Sequence, residues 1–147
     1  MMNRVLPPRP KVLLAADNPQ LLLAMATLLA DCGAHIDTAS SPEQAEQVAL
    51  AEHYDLVLTT FVWSLLAPHS LCGRLRSAGS DTEVFALLGP QQSEQAEVEL
   101  TLGLLRSGAT QVLSLPIRGS RLHQKVRHSL TARRERVMFS LAQKLTY

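Results

Sequence analysis

Short apolar segments alternate with amphipathic segments along most of this chain. Apolar residues in the amphipathic segments recur at the three- and four-residue spacing of a helix. The five apolar runs have the length of buried strands, and they are Lys11–Ala16, His35–Ala39, Asp55–Thr60, Glu83–Leu88 and Gln111–Leu115. The alternation predicts five parallel strands and five helices in a doubly wound α/β fold, with helices on both faces of the sheet.

Residues that favour helix ends support this prediction. Asp17-Asn18-Pro19 forms a helix start, and Ser41 is followed by Pro42 and by Gln44 in the manner of a capping box. Glycines close two of the segments. The predicted helices run from Pro19 to about Gly33, from Ser41 to about His53, from about Pro68 to Ser77, from about Ser93 to Ser107, and onward from Gly119.

Length and composition indicate one soluble domain. The chain has 147 residues, of which 46% are hydrophobic and 18% are charged. Residues 1–10 contain three prolines and are interpreted as an extended leader, 11–130 as the domain, and 131–147 as a continuation of the last helix. No apolar run reaches the ~18–20 residues of a membrane span, and no secretion signal precedes the domain. We therefore expect a cytoplasmic protein in which Cys32 and Cys72 are free thiols.

Several stretches in one order resemble the receiver domain of bacterial response regulators, and the resemblance covers nearly all of residues 11–130. The stretches are VLLAADNP at 12–19, YDLVLTT at 54–60, RLR at 74–76, EVFALL at 83–88 and SGATQVLSLPI at 107–117. The resemblance implies a flavodoxin-like sheet of order 2-1-3-4-5 with a site at the carboxyl ends of strands one and three. In that family the site has two acids after strand one, an acceptor Asp ending strand three, a Ser or Thr ending strand four and a Lys ending strand five. The acids bind Mg²⁺, and the acceptor Asp takes a phosphoryl group from a kinase histidine.

This chain departs from the family at four of those five positions. The corresponding residues are Ala16, Asp17, Thr60, Leu88 and Leu115. Only Asp17 is acidic, whereas Mg²⁺ prefers several hard oxygen ligands and phosphoryl transfer requires a nucleophile and a compensating charge. We therefore expect a degenerate pocket with no metal, no cofactor and no enzymatic activity. Asp17 is interpreted as a cap of the following helix.

Other catalytic and ligand-binding patterns are missing from the sequence. The five histidines are dispersed, and none has a ligand or base partner at a suggestive spacing. No glycine-rich phosphate loop follows the first strand. If the pocket is inert, the function must come from surfaces.

Two helices offer apolar surfaces. In the fourth helix, Val98, Leu102 and Leu105 share one face. Leu100 and Leu104 lie on nearly the opposite face, where they either form a second apolar stripe that contacts a partner or are ordinary exposed leucines. A last helix from Gly119 to Leu145 would be ~40 Å long, so we expect its second half to project beyond the domain core. Its apolar stripe would then pack against a second copy of the chain, or the helix would lead to a downstream domain. The predicted interaction surface is Leu100, Leu104, Leu122, Val126, Leu130, Val137, Leu141 and Leu145.

The charge is unevenly distributed. Residues 1–117 carry six Lys/Arg and twelve Asp/Glu, whereas residues 118–147 carry eight Lys/Arg and one acid. The basic residues considered for nucleic-acid binding are Arg127, Arg133, Arg134, Arg136 and Lys144. No helix-turn-helix unit accompanies them, so a solvated face is the preferred interpretation, with the acidic body of a neighbouring subunit as an optional partner.

Three functions remain in view. The first is a receiver-like signal-transduction module of the two-component type that is independent of phosphorylation. Such a module would act as a homodimer or through a histidine kinase or other signalling protein. The second is a DNA-linked response regulator that uses the basic last helix. The third is a small-ligand-binding module that uses the emptied pocket.

Overall fold

The computed structural model describes residues 9–145, apart from the side chain of Val137. Five parallel strands form one sheet in the order β2-β1-β3-β4-β5. The strands are β1 (Lys11–Ala15), β2 (His35–Ala39), β3 (Leu56–Thr59), β4 (Glu83–Leu88) and β5 (Gln111–Ser114). The predicted flavodoxin-like topology is confirmed.

Five helices connect or follow these strands and lie on both faces of the sheet. They are α1 (Pro19–Leu29), α2 (Pro42–Ala51), α3 (Leu71–Ser77), α4 (Glu94–Arg106) and α5 (Gly119–Leu145). One core cluster contains buried residues of α2, α3 and α4, and the other contains buried residues of α1 and α5. Successive strand residues alternate between the clusters, as the fully buried Leu13 and Leu14 illustrate. No helix within residues 9–145 is both long and apolar enough to cross a membrane.

Several elements are shorter than the apolar pattern predicts, because local hydrogen bonds set their ends. The first helix gives way after Leu29 to a 3₁₀ turn, Ala30–Cys32, which ends at Gly33 in the left-handed region with φ 71°. The third helix starts at Leu71 and not at Pro68, since the Ser70 hydroxyl accepts a hydrogen bond from the Gly73 amide at 3.1 Å.

The cap of α1 is Asn18 and not Asp17, so that prediction is wrong. The side-chain oxygen of Asn18 accepts hydrogen bonds from the backbone amides of Gln20 at 2.9 Å and Leu21 at 3.2 Å. Asp17 lies one residue further from the helix and is exposed. The only acid that survives in the family pocket therefore has no capping role.

The two apolar stripes of α4 are exchanged relative to the prediction. Leu104 is fully buried and Leu100 packs against the same core cluster, whereas Val98, Leu102 and Leu105 are exposed. Both stripes are apolar, so composition does not fix the rotation of the helix. The rotation follows from packing against the sheet, with the ends of α4 held by the Ser93 cap and by the turn after Ser107.

The first half of α5 is also core and not free surface. Leu122, Val126 and Leu130 are buried against the sheet and α1, because four-residue spacing places all three on the stripe that faces the sheet. The predicted interaction surface on α5 is therefore wrong at these positions. Of the remaining positions, Leu141 is half-buried and Leu145 is 86% exposed, and the side chain of Val137 lies outside the described residues.

A buried guanidinium ties α5 to the amino edge of the sheet. Arg133 is only 8% exposed, and its Nε donates to Asp55 Oδ1 at 2.7 Å. Its Nη1 donates to the Asp81 carbonyl at 3.0 Å, and its Nη2 to the Asp81 carboxylate. The second oxygen of Asp55 accepts the Lys11 amide at 2.8 Å. The interpretation of the basic tail as a solvated face is therefore wrong for Arg133.

Arg133 also controls the ionisation of one of its partners. Partial burial by itself would raise the pKa of the Asp81 carboxyl, but the hydrogen bond and charge of Arg133 outweigh burial and hold that pKa below 3.8. The Asp81 carboxyl is thus favoured in its charged form beside a cation that is nearly removed from solvent.

We expect Arg133→Ala to lower the free energy of unfolding by about 3 kcal/mol, because it leaves the half-buried Asp55 carboxylate without its cation. The matched control is Arg134→Ala at the exposed neighbouring position, which should change stability by no more than about 0.5 kcal/mol. Urea unfolding followed by circular dichroism measures both values. Equal effects of the two substitutions would contradict the assigned role.

Candidate functional site

Backbone pairing brings the predicted pocket residues to the carboxyl edge of the sheet. The Thr60 amide donates to the Ala15 carbonyl at 3.0 Å, directly beside Ala16. The Leu115 amide donates to the Leu88 carbonyl at 2.7 Å. The residues that follow β1, β3 and β5 and the last residue of β4 therefore lie along one edge of the sheet.

The side chains at this edge are mostly apolar and covered. Ala16 is 0% exposed and belongs to the core cluster of α1 and α5, and Leu88 is buried in the other cluster. Leu115 and Thr60 are half-buried, and Asp17 is exposed to solvent. Among these five positions, only Asp17 supplies a charge.

The side chains at these five positions do not fit a magnesium ion, which the receiver family that this chain resembles holds at the same edge of the sheet. Mg²⁺ takes near-octahedral oxygen ligands and relies on carboxylates together with phosphate oxygens. Leu88 and Leu115 present methyl groups where a hydroxyl and an ammonium would stabilise an anion. The edge therefore provides one exposed carboxylate, one half-buried threonine and a hydrophobic surround.

Comparisons with known proteins bear on the fold. No protein-family model matches the chain, and no curated protein does. Among solved structures, HP1043, an orphan response regulator of H. pylori, shares 24% identity at a TM-score of 0.69 and is aligned over 84% of this chain and 99% of its own. A response regulator from Thermotoga maritima shares 22% identity at 0.65, over 84% of this chain and 98% of its own. NtrX from Brucella abortus, in complex with ADP, shares 20% identity at 0.73, over 94% of this chain and 30% of its own.

The chain has the fold of response-regulator receiver domains. Identities of 20 to 24% establish the shared fold alone. The residues at the pocket positions of this receiver fold are therefore judged by their own chemistry, as above.

An apolar cavity lies next to these five positions, on the side of α1 and α5. Its volume is about 380 Å³. Its lining residues are Leu21, Ala24, Met25, Leu28, Leu87, Pro90, Leu115, Pro116, Ile117, Gly119 and Leu122. Of the four residues expected to line an emptied pocket, only Leu115 contributes to it, whereas Ala16, Thr60 and Leu88 do not.

A more polar groove separates α2 from the loop that follows β3. Its volume is about 480 Å³, and its rim includes Trp63, whose side chain is 73% exposed. Glu46 and Arg74 form an ion pair across it at 2.9 Å. Trp63 lies in a short 3₁₀ turn, Val62–Leu65, and nothing in the sequence pattern indicated the groove.

The exposed apolar surface of the receiver fold is concentrated near α4 and the end of α5. On α4 it consists of Val98, Leu102 and Leu105, and on the far part of α5 it includes Met138 and Phe139. Side-chain hydrogen bonds connect both helices to the edge strand β5, from Ser114 to Glu97 at 2.8 Å and from Lys125 to Gln111 at 3.4 Å. The edge strand β5 is therefore linked to the start of α4 and to the first half of α5.

One cluster of polar side chains is not apparent in the sequence. His123 on α5 meets Asp31 and Cys32 of the 3₁₀ turn after α1, although more than 90 residues separate them along the chain. Sequence spacing cannot reveal such a group, since only the packing of α1 beside α5 brings its members together.

We expect Ala16→Asp to destabilise the domain by on the order of 3 kcal/mol, because the carboxylate would be buried in an apolar cluster. Asp17→Asn at the exposed neighbouring position should change stability by no more than about 0.5 kcal/mol. Urea unfolding with and without Mg²⁺ measures both effects. A marked stabilisation of the Ala16→Asp variant by Mg²⁺ would show that the pocket is open to an ion after all.

Proposed function

We propose that this chain is a receiver-like signalling module of the two-component type that acts without phosphorylation and without enzymatic activity, through contacts with other proteins. The observation that carries the proposal is the chemistry of the carboxyl edge, where Asp17 is the single acid and Ala16 and Leu88 are buried. The receiver fold of the solved structures named above supports the signalling class.

The chemistry of phosphoryl transfer explains why this edge matters. Thr60 offers a neutral hydroxyl where a carboxylate nucleophile is needed, and Leu115 offers no positive charge to the developing anion. A phosphoryl group carries a charge of about −1.5 to −2 at neutral pH. Stabilising that charge beside Leu88 and Leu115 would require cations that these positions do not provide.

The proposal predicts no phosphoryl uptake. The purified chain is incubated with acetyl phosphate and Mg²⁺, and its intact mass is measured. A receiver domain that has all five of the family's site residues is treated in parallel as the control. The control should gain the mass of one phosphoryl group and this chain should not. A stoichiometric adduct on Asp17 or Thr60 would overturn the proposal.

We infer that the contact surface pairs two copies of this chain, with the far end of α5 from one copy lying along α4 of the other. The exposed apolar residues of α4 and of the α5 end, Leu102 and Phe139 among them, would cover each other. Charge supports the arrangement, because the α4 start carries Glu94 and Glu97 and the end of α5 carries the exposed Lys144. In a two-fold dimer such a contact occurs twice.

The dimer prediction is tested by light scattering on the full chain. The expected mass is twice the 16.1 kDa of one chain, and Leu102→Glu should reduce it to that of a monomer. The matched control is Leu23→Glu on α1, where the original leucine is 69% exposed and lies outside the proposed contact. A wild-type monomer at all concentrations, or equal effects of the two substitutions, would refute the dimer.

A truncation gives a second, independent readout of the same contact. Ending the chain after Arg136 removes the projecting part of α5 while retaining Arg133 and its ion pairs, so the domain should stay folded and become monomeric. A truncated chain that is folded and still dimeric would argue against the α5 end as a contact element.

The two other functions that the sequence left open receive less support. Arg133 is engaged with Asp55 and Asp81, so it is not available to a phosphate backbone. The cavity beside Leu115 would suit only an apolar molecule, and it is not the pocket that Ala16, Thr60 and Leu88 were expected to form.

A further inference from the structure

Three side chains of metal-ligating type meet where the end of α1 lies against the start of α5. The Nε2 atom of His123 is 2.7 Å from Asp31 Oδ1. A carboxylate oxygen of Asp31, the Sγ of Cys32 and a ring nitrogen of His123 all lie within 4.8 Å of one another. Within residues 9–145 this is the one group of three His, Cys, Asp or Glu residues with that proximity.

We propose that Asp31, Cys32 and His123 form a zinc site with three protein ligands and an open fourth position. Zn²⁺ binds thiolate, imidazole and carboxylate in tetrahedral geometry at about 2.0–2.3 Å, which places the donor atoms roughly 3–4 Å apart. The observed separations need to change by only about 1 Å to meet that geometry. The soft thiolate and the imidazole favour zinc over magnesium or calcium.

The surrounding structure holds the donors in place and leaves a path for the ion. His123 follows Leu122, which is buried in the core and fixes the rotation of α5 at this turn. Asp31 and Cys32 are held in the 3₁₀ turn that Gly33 closes. Asp31 is largely exposed, whereas Cys32 and His123 are half-buried, so an ion can enter from solvent beside the carboxylate.

The hydrogen bond between His123 and Asp31 does not by itself account for the cluster. An ion pair of that kind needs no third partner, yet the Cys32 thiol lies within reach of both groups. The positive charge of Arg127 acts on Asp31 and on Cys32 and opposes a bound cation. We therefore expect weaker zinc binding than at a site with four protein ligands.

The test uses the reduced full-length chain titrated with Co²⁺, which substitutes for zinc and gives a near-ultraviolet charge-transfer band when a thiolate coordinates it. We expect one equivalent of Co²⁺ to produce the band and Zn²⁺ to abolish it. Cys32→Ser should eliminate the band, and His123→Gln should weaken cobalt binding at least tenfold. The matched controls are Cys72→Ala, at the other free cysteine, and His128→Gln, at an exposed position on the same helix; both should retain the band.

Thermal unfolding provides a readout that does not depend on colour. Zn²⁺ should raise the melting temperature of the wild-type chain and of His128→Gln, but not that of His123→Gln. Absence of the cobalt band in the wild type, its persistence in Cys32→Ser, or equal zinc stabilisation of the two histidine variants would overturn the site. None of these outcomes bears on phosphorylation or on the dimer, so the two proposals stand or fall separately.

Discussion

The ion pairs of Arg133 set the position of α5, and much of the molecule depends on that position. A guanidinium that is nearly removed from solvent is tolerated because Asp55 and Asp81 satisfy it from the amino ends of β3 and β4. The same helix packs its apolar stripe through Leu130 against the sheet and places His123 beside the turn after α1. The contacts of Arg133 also mark where the sheet ends along α5, so the residues that follow extend past the body of the domain.

Polar chemistry in this receiver fold lies at the amino edge of the sheet and not at the carboxyl edge. Besides the Arg133 pairs, the amino edge contains Tyr54, whose hydroxyl donates to Asp37 at 2.7 Å and approaches Glu52 at 3.0 Å. Burial and these two carboxylates raise the pKa of Tyr54. Ion pairs at this edge stabilise the fold, whereas the carboxyl edge, where α/β sheets usually bind ligands, is lined mostly by apolar side chains. Of the five pocket positions at the carboxyl edge, only the exposed Asp17 has an acidic side chain.

Local chemistry made the fold predictable from the sequence. The strand runs, the caps at Ser41 and Ser93 and the closing Gly33 act over a few residues, so each could be identified without knowledge of the rest. Backbone pairing brings the five pocket positions to one edge, because the carboxyl ends of parallel strands share it. What the sequence could not supply depends on long-range packing. The rotation of α4 was ambiguous since both of its stripes are apolar, and Arg133 looked like any other arginine in a basic tail until its two acids were in place. His123 had no apparent partner because its neighbours lie at the end of another helix.

The apolar stripe of α5 has different roles in the two halves of the helix. At 3.6 residues per turn, Leu141 points within roughly 20° of Leu130, so it continues the direction of the stripe that faces the core. Leu130 is buried because the sheet lies under it, whereas Leu141 lies eight residues beyond Arg133, where α5 has passed the amino edge. The apolar stripe of α5 therefore belongs to the core where the sheet lies under it, and to the surface further along the helix. The sequence pattern alone does not show where one part ends and the other begins. The boundary is set by Arg133, whose ion pairs with Asp55 and Asp81 lie where α5 passes the amino edge of the sheet.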